Sequence, residues 1–164
     1  MNRRNFLGLG LGLGVAAAIA PSTLSATDFR ATKPDAFTAH KVDDAMKALF
    51  GTSTTTASGV KLKSPAIAEN GAVVPITVSS KLAGRTVAIF QDANPESTVA
   101  VFTVPAGGII DYSLRIKMSK TGKVTAVVDV DGKLHSISNT VKVTAGGCGG
   151  WFTHLHTITT LKNK

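Results

Sequence analysis

Two hydrophobic rhythms divide the chain. In the first, apolar residues recur at Val42, Ala45, Met46, Leu49 and Phe50, the three- and four-residue spacing that gathers on one face of an α-helix. Pro34 suits a first helical turn, where its missing N–H costs no hydrogen bond, and Gly51 suits a C-terminal stop. The spacing predicts one helix over 34–51, with residues 27–33 as a loose lead-in. From Val60 onward the rhythm shortens to two. Val74, Ile76, Val78 and Leu82 alternate with polar or small residues, as do Ile110, Tyr112, Leu114, Ile116 and Met118, and Val124, Ala126, Val128 and Val130. Alternation places each set on one face of a β-strand.

Shorter β-branched runs at 60–68, 85–91, 98–104 and 134–143 complete the set. Turn signals separate the runs at Asn70-Gly71, Asn94-Pro95, Gly107-Gly108, Thr121-Gly122 and Asp131-Gly132. About seven short strands at this spacing predict an all-β sandwich, immunoglobulin-like in size, over 59–144. A Cys…Trp…Cys pattern is missing, which excludes an antibody-type domain. The last run, ending at Val143, feeds directly into residues 145–150, Ala-Gly-Gly-Cys-Gly-Gly.

The start of the chain follows a third pattern. Arg3-Arg4, then Phe6-Leu7 and an uncharged apolar run from Gly8 to Ala20, form the layout of a twin-arginine signal peptide. That run is short of the roughly 20 residues that a membrane span needs. Cleavage is expected near Ala26, which makes 1–26 a leader and the periplasm the destination. What remains is enough for one domain with a core.

Charge changes the picture little. Lys and Arg number 18 against 10 Asp and Glu, for a formal charge of +8. The cations are spread along the chain without basic blocks or interleaved aromatics, so nucleic-acid binding is not indicated. Modest basicity suits anionic substrates or acidic partners.

The candidate chemistry centres on Cys148, the only cysteine. Gly146 and Gly147 precede it and Gly149 and Gly150 follow it. Glycine carries no Cβ and holds neither strand nor helix well, so the pattern predicts a thiol on a thin arm, outside the core and narrow enough to enter a channel. In an oxidising compartment a lone thiol pairs between chains or stays reactive. Three functions fit: a covalent carrier, a thiol-dependent enzyme such as a sulfurtransferase or peroxidase, and an assembly module whose cysteine forms an intermolecular disulfide. The enzyme needs a fixed pocket and a nearby base or second cysteine, and neither accompanies Cys148 in sequence. His154 and His156 share a face if extended and with Cys148 make a possible three-ligand metal set, but no further ligand accompanies them, so no metal is assigned. His40 and His135 read as ordinary helix and strand residues. Asp43 and Asp44 are adjacent and diverge on a helix. Asp129 and Asp131 read as a solvated hairpin edge.

Several stretches together resemble the SoxY family of sulfur carriers. They are Ser64 to Ser80, Asn94-Pro95, Arg115-Ile116-Lys117-Met118, and the closing Val141 to Gly150 with its Gly-Gly-Cys-Gly-Gly arm. The resemblance implies a covalent carrier subunit without catalysis or cofactor of its own, with sulfur intermediates of thiosulfate oxidation held on Cys148 and Gly146, Gly147, Gly149 and Gly150 as its arm. It implies a heterodimer with a SoxZ-like β-protein. It also implies three visiting enzymes: a c-type haem enzyme that couples thiosulfate to the thiol, a manganese-dependent hydrolase that releases sulfate, and a molybdenum/haem enzyme that oxidises the remaining sulfane sulfur.

In the family the arm closes the chain, whereas here residues 151–164 follow, with Trp151, Phe152, Leu155, Ile158 and Leu161 as apolar anchors. Burying one such side chain is worth about 1.5–3 kcal/mol, against about 1–2 kcal/mol per residue for ordering backbone. The near balance predicts weak or partial docking of this extension. Truncation after Gly150 is expected to raise the initial rate at which the haem enzyme loads Cys148, because the thiol then approaches on a chain end. Adduct formation on full-length and shortened protein measures this; loading no faster by the shortened form would show that the extension is no obstacle, and slower loading would make it part of the docking surface.

Overall fold

The computed structural model describes residues 27–144. The expected leader 1–26, the arm 145–150 with Cys148 and its four glycines, and the extension 151–164 with His154 and His156 lie outside the described residues. Nine strands are found among those described: β1 (Thr55–Thr56), β2 (Val60–Lys63), β3 (Ile67–Ala68), β4 (Val74–Ser80), β5 (Thr86–Gln91), β6 (Thr98–Thr103), β7 (Ile110–Ile116), β8 (Gly122–Val130) and β9 (Lys133–Val143). They form two sheets. The larger runs β1-β9-β8-β5-β6, with β3 also on β9, and the smaller runs β2-β4-β7. The all-β sandwich expected from the alternation is present.

The two sheets bury a core between them. Val74, Ile76 and Val78 of β4 face Val87 and Ile89 of β5 and Val124, Ala126 and Val128 of β8. The opposite face of the larger sheet is also covered: Ala88, Phe90, Val127 and Leu134 pack beneath Ala36, Phe37, Ala45, Met46 and Leu49. Strands buried on both faces lose the alternation of a half-buried strand. This is why β5 and β8 read Val-Ala-Ile-Phe and Val-Thr-Ala-Val-Val, and the fold has a third, helical layer.

That layer departs from the single helix expected over 34–51. Three helices form, α1 (Phe29–Thr32), α2 (Pro34–Thr38) and α3 (Val42–Phe50). The break falls at 39–41, where Ala39 and Lys41 are extended. Tertiary bonds take the place of the missing helical turn. The Ser97 amide donates to the Ala39 carbonyl at 2.9 Å, and His40 Nδ1 donates to the Pro95 carbonyl at 2.8 Å. The segment expected to be loose instead carries α1, capped by the Asp28 carboxylate, which accepts from the amides of Arg30 and Ala31. Gly51 ends α3 as anticipated, at φ +81° with its amide on the Lys47 carbonyl.

The run at 60–68 is likewise divided. β2 joins the smaller sheet and β3 the larger, with Pro65 between them, which has no amide to give a ladder. The two strands beyond the expected seven are the two-residue β1 and β3, too short to show a period. The β8–β9 hairpin closes at Asp131-Gly132, both at positive φ (50° and 85°), the conformation whose twist matches the flanking strands. Asp129 and Asp131 both serve this turn: Asp129 Oδ1 accepts from the Gly132 amide, and Asp131 pairs with Arg85 at 2.9 Å, largely in solvent.

Phe90 joins the layers and has no solvent exposure. Phe90→Ala is expected to lower the unfolding free energy by about 3–5 kcal/mol, seen as a fall in the urea midpoint with unchanged slope.

Candidate functional site: the root of the arm

β9 is the strand that delivers the chain to residues 145–150. It pairs with β8 along one edge, from Lys133 to Val141. Its other edge carries two short parallel strands, β1 at Leu134 and His135 and β3 at Lys142 and Val143. Between them, Asn139 Nδ2 donates to the Leu62 carbonyl at 2.9 Å and to Ser64 Oγ at 3.2 Å, tying β9 to the smaller sheet.

Every amide at the end of β9 is committed. The amide of Lys142 donates to the Ala66 carbonyl at 2.9 Å, and that of Thr144 to the Ala68 carbonyl at 3.1 Å. The Val143 amide, pointing the other way, donates to Thr121 Oγ1 at 3.0 Å. Thr144 Oγ1 also approaches the Glu69 carbonyl at 3.4 Å. The alternation of a strand is thus completed on one side by β3 and on the other by a threonine of the β7–β8 turn.

The two turns that flank the root are themselves locked together. The Met118 amide donates to the Gly71 carbonyl at 2.7 Å. At Gly71 an added Cβ would collide with the Met118 carbonyl oxygen and come within 2.8 Å of the Val143 side chain, so the close approach requires glycine. Asn70 shapes the turn by accepting the Ala72 amide on its side chain at 2.9 Å. Asn94 bridges to the β7–β8 turn, donating to the Lys117 carbonyl and accepting the Ser119 amide, both at 2.9 Å.

From Thr144 to Cys148 is four residues, which fully extended span at most about 13–14 Å. The root is therefore a fixed point from which the thiol has a bounded reach. Among the described residues no group of three or more His, Cys, Asp or Glu side chains gathers. The sequence-predicted site residues Cys148, Gly146, Gly147, Gly149 and Gly150 lie outside the described residues, and what the structure assembles is their anchorage. Sequence reading missed Thr121, Gly71 and β3 as parts of it. Asn70-Gly71 and Thr121-Gly122 were legible as turns, but nothing in a turn signal says which strand end it will brace.

Hollows also occur elsewhere among the described residues. A cleft of about 1030 Å³ opens at the opposite end of the sandwich, between Leu82, Arg85, Pro105 and Ile109. A smaller one of about 290 Å³ lies between α3 and the larger sheet, lined by hydroxyls of Ser53, Thr55, Thr125, Ser136 and Ser138.

Comparison with known proteins bears on this geometry. A family model described as "Sulfur oxidation protein SoxY" matches residues 46–148, ending on the cysteine. The solved structure of the sulfur carrier protein SoxY from Chlorobium limicola f thiosulfatophilum is 42% identical, with a TM-score of 0.59, covering 63% of this chain and 96% of that one. A superoxide reductase (neelaredoxin) from Ignicoccus hospitalis is 14% identical with a TM-score of 0.44, over 53% of this chain and 81% of that one, too distant to bear on the site. No match was found among curated proteins. With more than half its length matched by the family model and the described strands in the expected sandwich, the chain belongs to the SoxY family of sulfur oxidation proteins.

Proposed function

We propose that this protein is a covalent sulfur carrier, with intermediates of thiosulfate oxidation bound to Sγ of Cys148 and processed by partner enzymes. The observation that carries the reading is the pairing of a sole cysteine, set among glycines, with a strand end whose last three amides are all bonded. A carrier needs a reactive group that travels and a body that does not. Membership in the SoxY family and the 42% identity to a protein named as a sulfur carrier support it.

The chemistry asks little of the chain itself. The thiolate is the sulfur nucleophile. Loading joins Sγ to the sulfane sulfur of thiosulfate. The thiol proton leaves to water and two electrons go to the haem partner. Hydrolysis of the terminal sulfone by the manganese enzyme then releases sulfate and leaves a persulfide on Cys148 for the molybdenum/haem enzyme. The compartment we infer is the periplasm, reached by the leader 1–26.

The SoxZ-like partner has a side of the sandwich to cover. β6 ends the larger sheet and β7 the smaller, so among the described residues an edge of each is unpaired, a state proteins usually cover or blunt. Between these edges Phe102 stacks on Tyr112 with centroids 4.7 Å apart, and Val99 and Leu114 are also only half-buried. Co-expression with such a partner is expected to give a heterodimer that survives reducing agent on gel filtration. A protein that stays monomeric beside it would remove the partner from the proposal.

Cys148→Ser is expected to abolish thiosulfate-dependent turnover in a reconstituted system while urea unfolding and partner binding stay unchanged. Intact-mass spectra of the native protein should show sulfur and thiosulfonate adducts that the serine variant lacks. Unchanged turnover, or a bare thiol throughout, would overturn the carrier reading.

A further inference from the structure

One short stretch is richer in cations than the rest of the chain, and the fold brings a fifth cation, Lys142, to the same end. Residues 115–123, Arg-Ile-Lys-Met-Ser-Lys-Thr-Gly-Lys, contain four cations and no acid. Ile116 and Met118 point into the core, which drives Arg115 and Lys117 out onto the free face of the smaller sheet. Lys120 sits on the turn. Lys123 comes out on the helical side of the larger sheet, opposite Thr140 and two residues from Lys142 on that face. All five are exposed.

These charges are held in place by their backbones. The Lys117 carbonyl is fixed by Asn94, and the Lys123 amide donates to Asp92 Oδ1 at 2.6 Å; Asp92 and Asp43 line the hollow beside Lys123, so the excess positive charge at this end comes from Arg115, Lys117, Lys120 and Lys142. The same turn supplies Thr121 to Val143, so the cations stand around the point where the arm begins. The one ion pair among the described residues, Arg85 with Asp131, is at the other end. Glu69 is the carboxylate at the root itself.

We propose that Arg115, Lys117, Lys120, Lys123 and Lys142 form a basic collar around the arm root that docks on an acidic rim at the mouth of a partner enzyme's active-site channel. This deepens, and rests on, the carrier reading. The reach of about 13–14 Å from Thr144 to Cys148 requires the end of the sandwich to come up against any channel the thiol enters. The collar is the surface that meets the rim at that moment. Complementary charge there speeds encounter and sets orientation, and it can serve several partners in turn without a shape specific to one. A rim of exposed charges also separates easily, as a carrier in transit requires.

The test compares the native full chain with a variant carrying Arg115→Gln, Lys117→Gln, Lys120→Gln and Lys123→Gln; no side-chain hydrogen bond of these four is seen among the described residues. The probe is the thiosulfate-coupling haem enzyme. Affinity is measured on a Cys148→Ser background, so that it does not depend on loading, and kinetics are measured with Cys148 present. Neutralisation is expected to weaken affinity and raise KM by about tenfold or more at low salt, with kcat nearly unchanged. Added salt should weaken the native pair and leave the variant nearly flat. Alkylation of Cys148 by neutral iodoacetamide should proceed equally in both.

Equal affinity and equal salt slopes would overturn the collar. So would a matching fall in iodoacetamide reactivity, which would place the effect on the thiol. Binding of the native chain to phosphatidylglycerol vesicles, lost in the variant while enzyme affinity holds, would assign the cations to a membrane and overturn it as well. A native chain that docks with salt dependence yet never takes up sulfur would refute the carrier reading and uphold the collar.

Discussion

The ladder between β8 and β9 is the interaction on which the rest depends. Nine residue pairs, from Gly122 with Val141 to Val130 with Lys133, hold it in register. β8 offers one face to the smaller sheet through Val124, Ala126 and Val128 and the other to the helices through Val127. A one-residue slip would exchange those two faces and send every side chain to the wrong layer. The Asp131-Gly132 turn pins one end of this register. At the other end, Thr121 bonds to Val143, so the same ladder that organises both cores also fixes the direction in which the chain leaves.

Much of this was legible in the sequence, and the exceptions have physical causes. Alternation found the half-buried strands because β4 and β7 each have one dry face. It also found one face of β8, while β5 was found by its β-branched composition; a helix over part of a sheet was expected, but which strands it covers was not legible, since a run such as Val87-Ala88-Ile89-Phe90 has no polar face to mark a second partner. The break at 39–41 was invisible because Ala39, His40 and Lys41 are all acceptable in a helix. What breaks it is Ser97 and Pro95, some sixty residues away in sequence. The candidate chemistry, Cys148 among its glycines, is proposed from residue types alone and lies outside the described residues. Its anchorage was not legible in the sequence, because β3 and Thr121 act through a main-chain register that exists only once the sheet has closed.

The two ends of the sandwich differ in kind. At the hairpin end, charge is internally balanced by Arg85 and Asp131, and the loops surround a cleft with Ile109 at its lip, 85% exposed. At the arm end, the turns Asp92 to Ser97 and Lys117 to Gly122 are stitched together by side-chain-to-main-chain bonds, and Asn70-Gly71 joins them through the Met118 amide on the Gly71 carbonyl. Such bonds use Asn, Asp and Thr, whose short side chains reach backbone groups nearby, and they leave the long basic side chains to solvent. Rigidity and available charge therefore come from different residues, and neither is gained at the other's expense.

The orientation of β9 also decides how the molecule bears load. Antiparallel ladder bonds lie across the strand direction. A pull on Thr144 along the strand stresses the bonds to β8 all at once in shear. A pull across the strand, away from β8, would break those bonds one by one from the Val141 end. The short parallel strand β3 and the Thr121 bond hold that end of the strand from opposite sides. The closed sheet is thus a mechanical mooring for the segment that follows it.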